Sequence, residues 1–595
     1  VLLLALFVAC SSSPVAVATP TPAPAPKAEA PTGLSLSFDS VDVARTEADK
    51  RALRTASHFT LNGTRAPLTY HRLLHPGDDV GGTTFGVLRD IGGAELGGPR
   101  GSCTSADHTG LLQAHGQLFM TTHIECIPGA IYLTSLEQDA AGVLSATSTR
   151  AVLMAEVGGA YNPCAATATA RNTLLSSEEY EPDARRLDAE GKLPGDPWGY
   201  NDLSVALGVP QTEVDPYDYG WMPEIEVTGA DGSTEAVKHY TMGRFSHEQG
   251  VVMPDDRTVY LADDGTNVGF FLFVADKAGA FDAGTLYAMR WDQTSAEDGG
   301  TADIRWISLG HASQDELRPA IRERDVRFDE LFTAADPDAS GGCPAGMAST
   351  NTLTGHECLA VKPGMDLLAS RLETRRYAAL KGATTELRKG EGLAYDPGRN
   401  VVYYAISDVG RGMTDGDARS DAGGPNHVRL PSNPCGQVLA FALADAAEDT
   451  DGKAIDSAYV ATRATAPVRG TPKTYDDPQL SRNRCDLDGI ANPDNIAYLP
   501  HADLLVVAED TSKHENQVLW AVHVETGAHM RLLSAPWGGE LTGTGWYTDV
   551  NGHGYLTAVV QHPFDKRGVP EGQDVSGEDH RSIVGYFGPF PPLVP

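Results

Sequence analysis

Three acidic residues stand at one fixed distance from a proline. Glu248, Glu391 and Asp494 each lie six residues before Pro254, Pro397 and Pro500, in segments reading HEQGVVMPDDRTVYLADD, GEGLAYDPGRNVVYYAISD and PDNIAYLPHADLLVVAED. A second acid follows each proline, Asp264 and Asp510 at ten residues and Asp408 at eleven. Every copy reads as acid, apolar strand, proline turn, apolar strand, acid. Ordinary hairpins with solvated acidic ends explain the turns, but not the recurrence of the first acid at one offset. Carboxylates brought together repel unless a cation lies between them. Clustered hard oxygen donors suit Ca2+, whose coordination shell is large and flexible.

A thiol widens the choice of metal. The chain has eight cysteines: Cys10, Cys103, Cys126, Cys164, Cys343, Cys358, Cys435 and Cys485. Cys10 belongs to the N-terminal segment described below, which leaves seven. Neighbours in sequence would pair as Cys103 with Cys126, Cys343 with Cys358 and Cys435 with Cys485, although six cysteines allow fifteen pairings. Cys164 is then the odd one, 15 residues before Glu179. A buried, inert cysteine is the commoner fate of such a residue; a thiolate beside carboxylates makes iron a candidate.

These residues need a scaffold that brings distant segments together. Short apolar runs ending in Gly, Asn, Asp or Pro recur at 116–122, 142–154, 172–177, 259–262, 269–274, 285–291, 401–406, 437–443 and 504–508, and read as strands. The main helical candidate is 311–335, which a proline is expected to interrupt. A repeated hairpin is the unit of a β-propeller, whose innermost strands begin at one end of a central channel. The repeats predict an all-β propeller with loop and short helical insertions, its equivalent acids converging in that channel. The acidic insertion 414–426 reads as a solvated tip.

Residues 1–9, VLLLALFVA, form an apolar run too short to span a bilayer, followed by Cys10. This resembles a bacterial lipoprotein signal, in which the cysteine becomes the acylated first residue. Residues 11–32 are rich in Ser, Pro and Ala and read as a tether, leaving 33–595 as a single domain. Ser11 after the cysteine favours the outer membrane, so an exported lipoprotein at its periplasmic face or the cell surface is expected. The formal charge of −34 would repel a polyanion, so nucleic acid is not an expected partner. The chain is expected to act as a monomer on small molecules.

The phrases YGWMPEIEV (219–227), MGRFSHE (242–248), GTLYAMRW (284–291), EGLAYDP (391–397), NPDNIAY (492–498) and VVQHP (559–563) occur in order along the chain. In them the sequence resembles the PhoX family of bacterial alkaline phosphatases. The resemblance implies a six-bladed propeller with an Fe3+ and Ca2+ cluster, hydrolysing phosphate monoesters. Carried over by position, it makes Cys164 an iron-ligating thiolate, Glu179 an iron or bridging carboxylate, Glu248 a further cluster ligand, and Glu391 and Asp494 calcium ligands. Asn495 and Asp510 are weaker candidates for the same shell. The chain departs from the family at TARNTL (169–174), where a Trp-containing phrase is usual, and at Lys389-Gly390-Glu391, where the family has Arg-Pro-Glu. Lys389 would then hold phosphate as a point charge, without the bidentate fork of an arginine. Arg244 or His247 would add a contact, against their commoner structural roles. Two other readings of the acids remain: a calcium-dependent lactonase or esterase, which needs no thiolate, and a non-catalytic propeller stapled by metal.

Overall fold

The computed structural model describes residues 33–97, 103–196, 199–324 and 326–594. The N-terminal signal with Cys10 and the tether lie outside them. The chain folds into antiparallel sheets arranged in sequence order. The first holds Ala106–Ala114, Gln117–Ile124, Ala130–Gln138 and Leu144–Ala151, and the second runs from Ala166–Ala168 to Thr234–Lys238. A nine-stranded sheet follows, its two halves, from His247–Val252 to Thr301–Ser313 and from Gly390–Asp396 to Val460–Arg469, meeting where Ala302 pairs with Ala464. The last two begin at Pro493–Leu499 and Glu540–Val550. Each is completed by a strand from the start of the chain: Arg54–Thr55 pairs with 533–534, and Tyr70–Leu74 with 584–587. This interleaving closes the circle and ties both ends of the domain together.

The first strands of these units, Ala106–Ala114, Ala166–Ala168, His247–Val252, Gly390–Asp396, Pro493–Leu499 and Glu540–Val550, pack against one another in a closed ring. Second strands such as Thr258–Asp263 are buried on both faces because their sheet lies between two others, whereas outer strands such as Leu144–Ala151 are partly exposed. In Thr258–Asp263, Val259 and Leu261 enter one core while Tyr260 and Ala262 enter the next. The period of two therefore divides the strand between two apolar interfaces instead of between core and water.

The expected strands are present, several of them longer than read: 285–291 is the middle of the strand Ala280–Ser295. Two readings need correction. The helix Gln314–Arg322 runs through Pro319, and the segment breaks after it, before the short helix Phe328–Leu331; residues 311–313 end a strand. The insertion 414–426 is not wholly a solvated tip, because the Ser420 carbonyl is buried under the amides of Asn267 and Asn351. Between the halves of the nine-stranded sheet sits an insertion of the expected kind, though its sheet and its two later helices were not read from the sequence. It comprises a three-stranded sheet within 332–361 and the helices Asp366–Leu372 and Thr374–Leu380. The three disulfides are Cys103–Cys126, Cys343–Cys358 and Cys435–Cys485, and Cys164 is free and buried.

Candidate metal centre

The repeat acids meet at one point. One carboxylate oxygen from each of Glu248, Glu391 and Asp494 lies within 4.8 Å of the other two, and all three residues are buried. The local cause is a shared irregularity. Pairing with the second strand of each hairpin shifts between His247 and Gly250, between Gly390 and Leu393, and between Pro493 and Ile496. A bulge of this kind re-aims a side chain out of the ladder, and in each copy the acid sits inside it. The first sheet repeats the device between Ala106 and Thr109, around Asp107. The ring is tight here: a Cβ on Gly392 would stand 2.6 Å from the Ile496 nitrogen and 2.8 Å from the Asn495 Cα, so only glycine fits.

A second donor group, Glu125, Cys164 and Glu179, also brings its ligand atoms within 4.8 Å of one another. The Cys164 thiol donates to Glu248 Oε2 at 3.0 Å and so joins the two groups. Glu179 is set by Asn162, whose carbonyl accepts from the Glu179 N–H at 3.1 Å and whose side-chain amide donates to Glu179 Oε2 at 3.2 Å. The Cys164 carbonyl accepts from His123 Nδ1. Glu125 follows the strand Gln117–Ile124 and precedes the disulfide half Cys126, which anchors it.

Both groups line a cavity of about 340 Å3 with Asp107, Asp264, Asp510 and Glu540, facing only Lys389, His562 and Arg567 as cations among the described residues. Lys389 Nζ lies 2.9 Å from Glu391 and 3.3 Å from Asp510. Its backbone has φ +45°, a strained left-handed conformation for a lysine. The strain is held by hydrogen bonds from its N–H to the Gly265 carbonyl and from the Ser407 N–H to its own carbonyl. Burial and neighbouring carboxylates push Glu125 and Glu391 up to about 8. The same causes raise Glu179, Glu248 and Asp494 well above the carboxylate range and Cys164 well above that of a thiol. Burial opposes the charge on Lys389, but Glu391, Asp264 and Asp510 overcome it and raise the ammonium. Carboxylates this crowded hold protons unless cations replace them. Buried Asp107 Oδ2 and Asp264 Oδ1 have no hydrogen-bond partner, so donors remain free. The oxygen-rich triad fits calcium, and the group with the thiol fits a transition metal such as iron.

Several expected site residues fall elsewhere. Arg244 does not reach the cavity: its guanidinium donates to the carbonyls of Tyr219, Leu372, Pro182 and Pro216. Four carbonyl partners hold it away from the cavity, so the phosphate contact is corrected to a structural role. His247 packs against the Phe245 ring and bonds the Gly243 carbonyl through Nε2, with burial lowering it to about 3. Asn495 is no oxygen ligand in this arrangement. Its Oδ1 accepts from the Gly543 N–H at 2.9 Å, and its amide nitrogen faces Glu248 and Asp494, each at 3.4 Å. Asp408 is one residue out of step. The N–H groups of Asp264, Ser407 and Asp510 bond equivalent carbonyls, those of Ser246, Lys389 and Asn492. Ser407 therefore occupies the repeat position, and Asp408 pairs with Arg388 at 3.2 Å.

Sequence reasoning missed Asp107, Glu125, Glu540 and His562. Asp107 and Glu540 begin inner strands whose hairpins lack the proline that aligned the other copies. His562 lay within the quoted phrase VVQHP. Its Nε2 bonds Glu540 at 2.9 Å; burial opposes its charge, but Glu540 raises it to about 9.

Fold and site together define a propeller-like all-β protein with a carboxylate-rich candidate metal centre. The family model for Alkaline phosphatase PhoX matches residues 134–563, and the chain belongs to that family. The family comprises exported, metal-dependent enzymes acting on small phosphate esters. In fold the chain is similar to Pseudomonas fluorescens PhoX in complex with vanadate, a transition state analogue, with TM-score 0.58 and 18% identity over 93% of this chain and 98% of that one. A putative 6-phosphogluconolactonase from Bacteroides uniformis aligns at TM-score 0.28 and 11% identity over 84% of this chain and 94% of that one, a likeness too slight to bear on function. No curated protein matches the chain in sequence. No helix among the described residues is long and apolar enough to cross a membrane.

Proposed function

We propose that the chain hydrolyses phosphate monoesters at alkaline pH, with Glu248, Glu391 and Asp494 holding Ca2+ and Glu125, Cys164 and Glu179 holding Fe3+. The observation that carries this reading is the pair of donor groups linked through Cys164 and Glu248. Bound ions would supply charge neutralisation on the phosphoryl oxygens and activation of water. The protein supplies the rest. Buried inner-strand starts fix the donors and exclude bulk water. Lys389 presents an ammonium at the cavity wall to a non-bridging phosphoryl oxygen, and Asp510 orients it. His562 and Glu540 share a proton beside the same cavity, a store from which the departing oxygen is protonated.

In the same reading the first strands in the ring mark six blades, and residues 33–595 form one domain. Residues 1–10 form a lipoprotein signal ending at acylated Cys10, and 11–32 tether a monomer to the outer membrane. The test is elemental analysis of the purified protein beside hydrolysis of 4-nitrophenyl phosphate at alkaline pH with calcium. Stoichiometric iron and calcium, with turnover lost on chelation, is the expected result. Calcium without iron and without turnover overturns it.

A further inference from the structure

A second cavity, of about 410 Å3, adjoins the metal centre. Lys389, Asp510, His562 and Arg567 line both cavities, so the two meet along these side chains. Its other charged lining residues are Arg388, Asp408, Lys513 and Asp565. Each acid on this wall is already tied to a cation: Asp408 to Arg388 at 3.2 Å, Asp510 to Lys389 at 3.3 Å and Asp565 to Arg567 at 3.0 Å. Lys513 differs. Its Nζ meets the Ser512 hydroxyl at 3.5 Å, with no acid in salt-bridge range among the described residues.

The repeat adds an independent observation. Ser407, which lines this cavity, stands where Asp264 and Asp510 stand in the other copies. A carboxylate there would add negative charge to the wall. The one-residue displacement of Asp408 instead delivers that acid to Arg388. The wall is left with a positive excess on a molecule of net charge −34. A concave wall with a net excess of one sign focuses its field on a counter-ion.

We propose that this cavity is the leaving-group subsite, and that it favours phosphate monoesters whose leaving group carries a second anionic group, a carboxylate or another phosphate. The scissile phosphoryl group would lie in the metal cavity and the second anion against Lys513. The proposal rests on the phosphatase reading of the metal cavity, and its test separates the two.

Short phosphonoalkanoates of increasing length carry an uncleavable phosphorus–carbon bond and a distal carboxylate. Their binding to the calcium-loaded full chain is measured by calorimetry beside alkylphosphonates of equal length, which lack the carboxylate. At least one length is expected to bind about fivefold more tightly than its match. Lys513→Ala is expected to erase that advantage, and Lys513→Glu to reverse it, with alkylphosphonate binding unchanged in both. Equal affinities at every length, or an advantage that survives both substitutions, overturns the subsite. Hydrolysis of 4-nitrophenyl phosphate by the same preparations reports on the parent reading. An active enzyme with no carboxylate advantage loses only the subsite. An inactive protein that keeps a Lys513-dependent advantage loses the phosphatase reading and the leaving-group role, and keeps an anion-binding site at Lys513. Phosphate esters bearing a distal phosphate then distinguish the two kinds of second anion.

Discussion

Arg375 donates through Nε to Asp263 at 2.9 Å, while the same guanidinium reaches Glu181 at 2.6 Å. Asp263 precedes Asp264, and Glu181 lies two residues after Glu179, so one buried arginine from the helical insertion braces two loops that line the metal cavity. The insertion thus supports the site without contributing a ligand to it. Removing one partner of a buried ion pair leaves an uncompensated charge, which costs about 3–5 kcal/mol. Arg375→Met is expected to lower stability by that amount in urea denaturation and to weaken calcium binding. A loss under about 1 kcal/mol would show that the brace is dispensable.

Metal removal should invert the usual pH dependence of a carboxylate site. Burial and like charges hold Glu125 and Glu391 at about 8 and Glu540 at about 7, against an ordinary value of 4.5. A carboxyl group raised on folding binds extra protons in the folded state, so its contribution falls as pH rises from the unfolded to the folded value. Chelator-stripped protein is therefore expected to lose thermal stability between about pH 4.5 and 8, and added calcium to restore it most at the upper end. A melting temperature of the stripped protein that is level or rising across that range would contradict the crowding described here.

Cys164 separates the phosphatase from the lactonase reading. Its Sγ is buried among Glu125, Glu179 and Glu248, and serine there keeps a hydrogen bond to Glu248 but not the soft thiolate. Cys164→Ser is expected to retain calcium, to lose iron by elemental analysis and to lower kcat by at least about 100-fold. Full activity in this variant would argue for calcium-only chemistry.

Lys389 tests the departure from the family's arginine. Lys389→Met removes the cation beside Glu391 and Asp510 and is expected to reduce kcat/KM about 100-fold. Lys389→Arg keeps the charge and offers a bidentate fork, so activity equal to or above wild type is expected. An unchanged kcat/KM in Lys389→Met would remove this residue from the site.

Much of the site was legible because a propeller repeats a local solution. The turn at Pro254, Pro397 and Pro500 sets hairpin register, so the acid in the bulge recurs at a constant offset and three candidate ligands stand out of one chain. Cys164 emerged from cysteine arithmetic because the other six pair within their neighbourhoods. The strand pattern was equally plain, since a strand between two sheets must be apolar on both faces.

The rest depended on packing. Glu125 has no repeat partner and enters the site because the fold lays the end of its strand beside Cys164 and Glu179. Asp107 and Glu540 hold equivalent places in the ring, but their hairpins lack the proline that made the others visible. Asp408 matched the pattern in composition, and one extra residue carried it to Arg388, because successive positions of extended chain point to opposite sides. Arg244 lay in a matching phrase, yet four carbonyls take its guanidinium. The amino-acid sequence by itself determined which strands form, which acids share a register and which cysteine is left over, because these follow from local periodicity and pairing. Which side chains face the channel, which cations remain unpaired and where the second cavity opens were decided only by the tertiary structure, because they depend on contacts between residues hundreds of positions apart.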